Sequence, residues 1–505
     1  MSYTSSARKD ILQLFILISA ALLIFYPVFY TEYAYTDELV GLWQWQSKIG
    51  DSSSTLLQYG RYVTGKLAEL LFGSVSTIKE LTWIRLFSLA GWLLSIPVWY
   101  YILKRIIQKE KLPSMLSFFS VLYMICTPSF AISIGWAACF EMWLANTLGL
   151  LSGYFLYSSI SFDSNRIKVS GWLFILSVIA GVLCLFTYQN CFGCFLLPFL
   201  LVLISSRKLT RNIYIGVAVY FLIYAVYYGL FKYTLRVNHI DETVRTDLHI
   251  NVGDKLIFFL LRPLNSAFHF TYIFNENSIT GIIIYLFIAV TWLLISFLQK
   301  KDQSFTAKFK YFVFVFCFLG VIYLPSLVVK ENFASSRTMF ALSIAVFLLV
   351  AETFLSIKIE ENKRYIAVAI LSFLFVLNAW YNFNKQFLQP VTKEYSELRK
   401  FIDNKYQDGM DTVYFIRPTE DFFVTQYGLT RSWDEFGVPS TFFRWVPEFL
   451  MKQIVLEKTG KKEAAEKLKV KSWLEKNEST GSVSTSDTLQ TTGKMIINVR
   501  EILRQ

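Results

Sequence analysis

Charge is scarce in this chain. Asp, Glu, Lys and Arg together make up 17% of its 505 residues, against roughly 25% in soluble globular proteins. With a hydrophobic share of 54% and an aromatic share of 18%, that shortage excludes an ordinary soluble domain. Histidine is nearly missing: His239, His249 and His269 are the full set. Their spacing matches no compact zinc motif such as HExxH, so no dedicated metal site is expected. The chain also lacks a P-loop, a dinucleotide fingerprint and any internal repeat. Its basic loops are too short to house a nucleotide-driven domain, so any chemistry must use a substrate reached from the membrane or the opposite side.

Cysteine is sparse too, with six residues: Cys126, Cys139, Cys184, Cys191, Cys194 and Cys317, all inside or bordering apolar runs. Cys191 and Cys194 form a CFGC motif, which signals metal or redox chemistry only where other ligands converge on it. The simpler reading is small residues on one face of a buried helix, with no structural disulfide.

What is abundant is apolar length. Runs of about 20 residues recur to residue 383, each long enough to cross a hydrocarbon core of roughly 30 Å as a helix. We expect eleven spans, near 11–30, 83–103, 115–131, 139–160, 171–187, 190–204, 213–231, 278–298, 310–329, 338–357 and 364–383. The first run is too long for the apolar part of a signal peptide and has no small-residue cleavage site, so it should stay as a span.

The formal charge is +12, yet residues 384–505 hold 19 Lys+Arg against 17 Asp+Glu, so nearly all of the excess lies in residues 1–383. Arg8 and Lys9, KRIIQKEK, SNRIK, SSRKLTR, QKKDQSFTAKFK and KIEENKR fall on one side when the spans alternate. The positive-inside rule makes that side cytoplasmic, and the N-terminus with it. Topology and anionic lipid account for the basic excess, and nucleic-acid binding is not implied. The other side receives loops 31–82 and 232–277 and a C-terminal domain, 384–505, in which alternating strand and helix patterns (DTVYFIRP, VPEFLMKQIVLEKTG, KMIINVREIL) indicate a small α/β fold.

Candidate functional residues lie on that second side. After the first span, YTDELVGLWQWQ and STLLQYGRYVTGKLAELLFG read as helices lying in the membrane interface, the second with Leu56, Tyr59, Val63, Leu67 and Leu70 on one face. Asp37 and Glu38 follow Thr36, a good N-cap, and suit the first turn of a helix. A helix start also keeps a carboxylate ionised, which a general base at the mouth of a cavity requires. Arg61 is either a snorkelling interfacial cation or a phosphate ligand. Arg337 raises the same choice, and its place away from the basic loops favours function. Glu141 sits at the outer end of the fourth span, where an ionised carboxylate needs water or a partner. Lys232, Arg236, Arg245 and Arg262 in loop 232–277, which also holds Asp241, Glu242, Asp247 and Asp254, are further candidates to meet phosphate, and WDEFGVPS reads mainly as a structural turn.

The order of these motifs resembles the serotype-converting bacterial glucosyltransferases of the Gtr type, within the multispanning GT-C-like enzymes that use polyprenyl-phosphate sugars. The resemblance rests on TDE after the first span, QYGRYV, LFTYQNCFGCFLLPFL with Tyr188 and Gln189, and SSRTMFAL, and covers most of residues 1–383. The family's acidic pair is usually Asp-Asp, so Asp37 aligns with its first acid while Glu38 departs from the pattern. The resemblance implies a membrane glycosyltransferase of the bacterial inner membrane that moves a hexosyl, chiefly glucosyl, group to a surface glycan such as O-antigen. It implies Asp37 with Glu38 as the catalytic acids, Arg61, Arg337, Tyr188, Gln189, Glu141 and Trp43 around the substrate, and a flippase and a donor synthase as partners. A divalent cation would help such a transfer but is not required, and no metal ligands are assigned. Two rivals remain open: a polymerase or ligase of lipid-linked oligosaccharides, and a lipid-linked sugar transporter or flippase.

Overall fold

A computed structural model describes residues 2–47, 52–163, 166–241, 251–299, 303–475 and 494–504. The protein is a polytopic helical bundle carrying a small three-stranded sheet. Among the described residues, seven helices are long and apolar enough to cross a membrane: 7–29, Leu81–Lys109, Gln189–Ser206, Arg211–Val237, Ile279–Leu298, Phe305–Ile322 and 361–405. Met115–Ile125 and Pro128–Gly135, bent by 46° against each other, make an eighth if taken as one span. The bend follows from sequence: Pro128 cannot continue the preceding helix, and the Thr127 hydroxyl caps the next by accepting from the Phe130 N–H. The other three expected spans fall on Met142–Ser159, Gly171–Thr187 and Phe340–Leu355, which are helical but shorter or less apolar.

Burial separates inner from outer helices. Gln189–Ser206 is 78% buried along its apolar stretch and runs through the middle, whereas Ile279–Leu298 is 17% buried and presents its apolar side chains outward from the bundle. The centre is packed through small residues. A Cβ on Gly153 would lie 2.1 Å from the Phe195 carbonyl oxygen, so only glycine lets Met142–Ser159 approach the 3-10 segment Gln189–Leu196 so closely. Cys184, Cys191 and Cys194 line the same contact as buried free thiols, and all six cysteines are unpaired.

The last span does not stop at residue 383, where composition places the domain boundary. Glu361–Tyr381 continues through a π-helical turn, Asn382–Leu388, into Gln389–Lys405 as one rod. Asn382 and Asn378 brace that turn by donating to the Thr271 carbonyl, each at 2.6 Å. Beyond it the strand Thr412–Arg417 is central in a parallel sheet, flanked by Lys469–Leu474 and Lys494–Asn498. Its inward side chains Val413 and Phe415 are fully buried against the helix layer. DTVYFIRP, VPEFLMKQIVLEKTG and KMIINV thus take the expected forms; the strand at Lys469–Leu474, mostly exposed, carried no apolar alternation to announce it.

The C-terminal unit is docked on the bundle. Helix Val446–Thr459 packs on helix Asp37–Ser47, Gln453 donates to the Ser76 carbonyl at 2.9 Å, and Tyr395 donates to Glu32 at 2.9 Å.

Candidate functional site

The acidic pair after the first span divides into two roles. Thr36 takes a left-handed conformation (φ 42°), and its hydroxyl has no hydrogen-bond partner, so it does not cap the helix as its residue type suggests. Glu38 instead folds back on the residues entering the helix, its Oε2 accepting from the Tyr35 N–H at 2.8 Å. The same oxygen pairs with Arg85 at 2.5 Å, and Oε1 accepts from the Ala137 N–H. Arg85 in turn donates to the Tyr33 carbonyl at 2.9 Å and stacks on the Tyr33 ring. Burial raises the Glu38 pKa, and Arg85 with the two N–H groups pulls it back down. Both carboxylate oxygens are engaged and fully buried, so Glu38 is an anchor that ties the first loop to helix Leu81–Lys109. A direct catalytic role for it is corrected. Arg85 was hidden among apolar neighbours, where nothing in the sequence distinguished it from a topological charge. Asp37, one residue earlier in the first helical turn, is exposed.

Arg61 owes its position to a broken helix. The expected continuous helix splits into Ser52–Gln58 and Tyr62–Gly73 at Gly60, where φ is 70°. A Cβ there would meet the Tyr227 hydroxyl at 2.1 Å, so glycine is required twice over. Gln189 locks the turn by donating to the Tyr59 carbonyl and the Tyr227 hydroxyl, both at 2.7 Å. Gln189 is therefore committed to structure rather than open to substrate. The buried face of the second piece is Thr64, Ala68 and Phe72, not the predicted one, and Leu70 is 68% exposed. Arg61 lies 4.1 Å over the Tyr188 ring, with its Nε buried and lacking a hydrogen-bond partner.

Glu141 faces the same place. It is 2% exposed, and its Oε2 has no hydrogen-bond partner. Burial pushes its pKa up to about 7 even though Arg61 and Arg337 both pull it down. Both guanidinium groups also act electrostatically on Tyr188. Arg61, Glu141, Tyr188 and Arg337, spread over 277 residues of chain, therefore form one cluster.

Arg337 sits in a short 3-10 turn, Ser336–Thr338, fixed by a capping box between Ser335 and Thr338. Its guanidinium lies 4.4 Å over the Trp136 ring, and Trp136 meets Tyr35 edge to face. Its NH2 donates to Asp434 at 2.5 Å, and its Nε is 3.3 Å from Glu435, an ion pair without hydrogen-bond alignment. Burial and the neighbouring Asp434 push the Glu435 pKa well up, and Arg337 opposes them. These two acids come from WDEFGVPS, which is a tight turn as expected, closed by the Ser432–Phe436 bridge and by Gly437 at φ 74°. The sequence offered only one signal for their role, an acidic pair inside a turn on the same side as Arg337.

The turn also forms the wall of a cavity shared with Arg262, His269, Phe270 and Glu276. Trp433 and Phe270 are both held at positive φ (54° and 56°), a conformation rare for bulky side chains. Arg262 donates to the Glu276 carbonyl at 3.0 Å, and His269 Nε2 is 2.9 Å from the Gly281 carbonyl.

Other expectations land elsewhere. Trp43 is 3% exposed and packed in the core, so its ring is closed to a sugar. The Trp45 side chain, Glu242, Arg245, Asp247 and His249 lie outside the described residues. Lys232 and Arg236 belong to helix Arg211–Val237. Among the described residues no three His, Cys, Asp or Glu side chains are grouped to hold a metal ion. No family model, curated protein or solved structure matches the chain.

Proposed function

We propose that the protein is a membrane glycosyltransferase that moves a hexosyl group, glucosyl first among candidates, from a polyprenyl-phosphate sugar to a surface glycan. In this reading all eleven helices cross a bacterial inner membrane in a GT-C-like arrangement, with the N-terminus cytoplasmic and the C-terminal domain outside. The observation that carries the reading is the convergence of Arg61 and Arg337 on Glu141 and Tyr188 at the bundle end away from the basic loops.

Such a transfer breaks the bond between the anomeric carbon and the phosphate oxygen, which leaves with the electron pair, while an acceptor hydroxyl forms the new bond and loses its proton. The leaving phosphate needs cations rather than an acid. Arg61, with a free Nε, suits that task. Arg337 is already occupied by Asp434 and Glu435 and serves to hold the C-terminal turn against the cluster. In an inverting transfer the base approaches from the face opposite the phosphate, so Glu141, buried within electrostatic reach of Arg61 and Arg337, instead balances the arginine charge. Asp37 is exposed, one residue from a locked anchor, and is the base in this reading. The Trp433 ring, beside the Asp434 turn and among the polar groups Arg262 and Glu276, is the candidate to stack on the acceptor sugar.

The test uses membranes supplied with a labelled polyprenyl-phosphate hexose and acceptor glycan. Asp37→Asn should abolish transfer with insertion unchanged, and Trp433→Ala should raise the acceptor KM more than the donor KM. Consumption of whole lipid-linked repeats would indicate a polymerase or ligase instead, and translocation of the donor without transfer a flippase.

A further inference from the structure

At the other end of the bundle, among the basic loops, lies a cavity of about 400 Å³. Three helices terminate around it, Leu81–Lys109, Leu197–Ser206 and Phe340–Leu355. Its lining includes Lys111, Arg207 and Arg364, with Glu352, Ser205 and Ser356. Two of the three cations occupy left-handed backbone positions, each with φ 55°.

Those positions are informative. Lys111 stands in the place glycine usually takes after a helix: its N–H bonds the Gln108 carbonyl while the Leu112 N–H bonds the Ile107 carbonyl. Arg207 ends Leu197–Ser206 in the same left-handed region, its N–H on the Leu203 carbonyl. A cation meant only to complement a helix dipole works equally well from the last ordinary turn, where Lys109 already sits. Strain accepted at two neighbouring helix ends, both pointing a cation at one cavity, marks a site.

The charges are not balanced within it. Arg207, 8% exposed, donates to Ser296 at 2.6 Å and to Glu352 at 3.2 Å, and lies over the Tyr311 ring. That uses the one carboxylate in the lining. Arg364 reaches only the Ile357 and Ile359 carbonyls, and its Nε is buried with no hydrogen-bond partner. Lys111 is exposed at the rim.

We propose that this cavity binds a phosphate group through Lys111 and Arg364, with Arg207 as the fixed floor of the site. The volume suits a headgroup, and the same oxyanion occurs in anionic phospholipid and in soluble phosphate compounds. A basic recess between helix ends at the membrane surface is a setting in which lipid headgroups bind. The site is independent of the sugar-transfer reading, because none of its residues belongs to the opposite cluster.

The full chain in detergent is titrated with phosphatidylglycerol, with phosphatidylcholine as the neutral control, and separately with inorganic pyrophosphate, following binding by native mass spectrometry. Lys111→Gln with Arg364→Gln should weaken anion binding at least tenfold. Lys111→Gly removes the charge while relieving the left-handed strain, so it should melt no lower than the parent and still bind the anion more weakly. Selective phosphatidylglycerol binding assigns the site to lipid, and pyrophosphate binding alone assigns it to a soluble phosphate. The proposal is overturned if neither probe binds the parent at millimolar concentration, or if Lys111→Gly binds as tightly as the parent.

Discussion

Arg337 and Asp434, 97 residues apart, meet at 2.5 Å, and through that contact the C-terminal domain reaches the arginine cluster of the bundle. The Tyr35 hydroxyl strengthens the join by donating to the Asp434 carbonyl at 2.8 Å. The loop after the first span, the turn at Arg337 and the WDEF turn thus share one surface. Asp37 lies two residues from Tyr35, so the expected base borders this surface as well.

Because Asp434 is 28% exposed at its side chain and Arg337 only 17%, the pair lies between a surface bridge and a buried one. Asp434→Asn should therefore cost about 2 kcal/mol, short of the full penalty for breaking a buried pair. Arg337→Ala should cost more, since it also strands Glu435. Limited proteolysis that cuts the C-terminal domain faster in both variants than in the parent is the expected result, and equal protection would show that the contact does not hold the domain.

Asp37 and Glu38 should separate cleanly despite being adjacent. Glu38→Gln leaves Arg85 buried without its charge partner and should destabilise by about 3 to 5 kcal/mol, partly relieved by the further change Arg85→Met. Asp37→Asn should leave the melting temperature nearly unchanged while removing activity. A Glu38→Gln protein that melts like the parent would contradict the anchor assignment.

Gly60→Ala combines two penalties, a left-handed alanine costing about 1 kcal/mol and a collision with the Tyr227 hydroxyl. Removing that hydroxyl in Gly60→Ala/Tyr227→Phe should recover the collision part only. The double variant should melt above Gly60→Ala and below Tyr227→Phe, and failure to recover any stability would mean that Gly60 is needed for φ alone.

Glu141 makes the stability depend on pH. Its pKa is raised to about 7 in the folded protein, against about 4.3 in an unfolded chain. Between those values the folded state binds more protons than the unfolded one, so stability falls as pH rises from about 4.3 to 7. The loss approaches about 4 kcal/mol at most. Melting temperatures taken from pH 5 to pH 8 should decline for the parent and stay flatter for Glu141→Gln. Parallel curves would mean that Glu141 is not the titrating group.

The membrane-like helical character and the positions of the helices were readable from the chain because both depend on local apolar length. So was the α/β character of residues after 405, where strand and helix patterns alternate. The eleven expected segments all proved helical, and the difference lies in which are long enough to span. Hydropathy marks apolar stretches, whereas the bend at Thr127–Pro128 and the continuation past Tyr381 depend on neighbours such as Thr271.

The sequence by itself determined the apolar helices and marked Arg61, Glu141 and Arg337 as charges set apart from the basic loops, and the structure brings both arginines within electrostatic reach of Glu141. Only the tertiary structure decided which acids they meet. Glu38 turned inward to Arg85, Trp43 into the core and Gln189 to the Gly60 turn, while Asp434 and Glu435 arrived from the far end of the chain. A buried charge takes whichever partner packing brings within reach, and that choice is made between segments hundreds of residues apart, where local pattern carries no information.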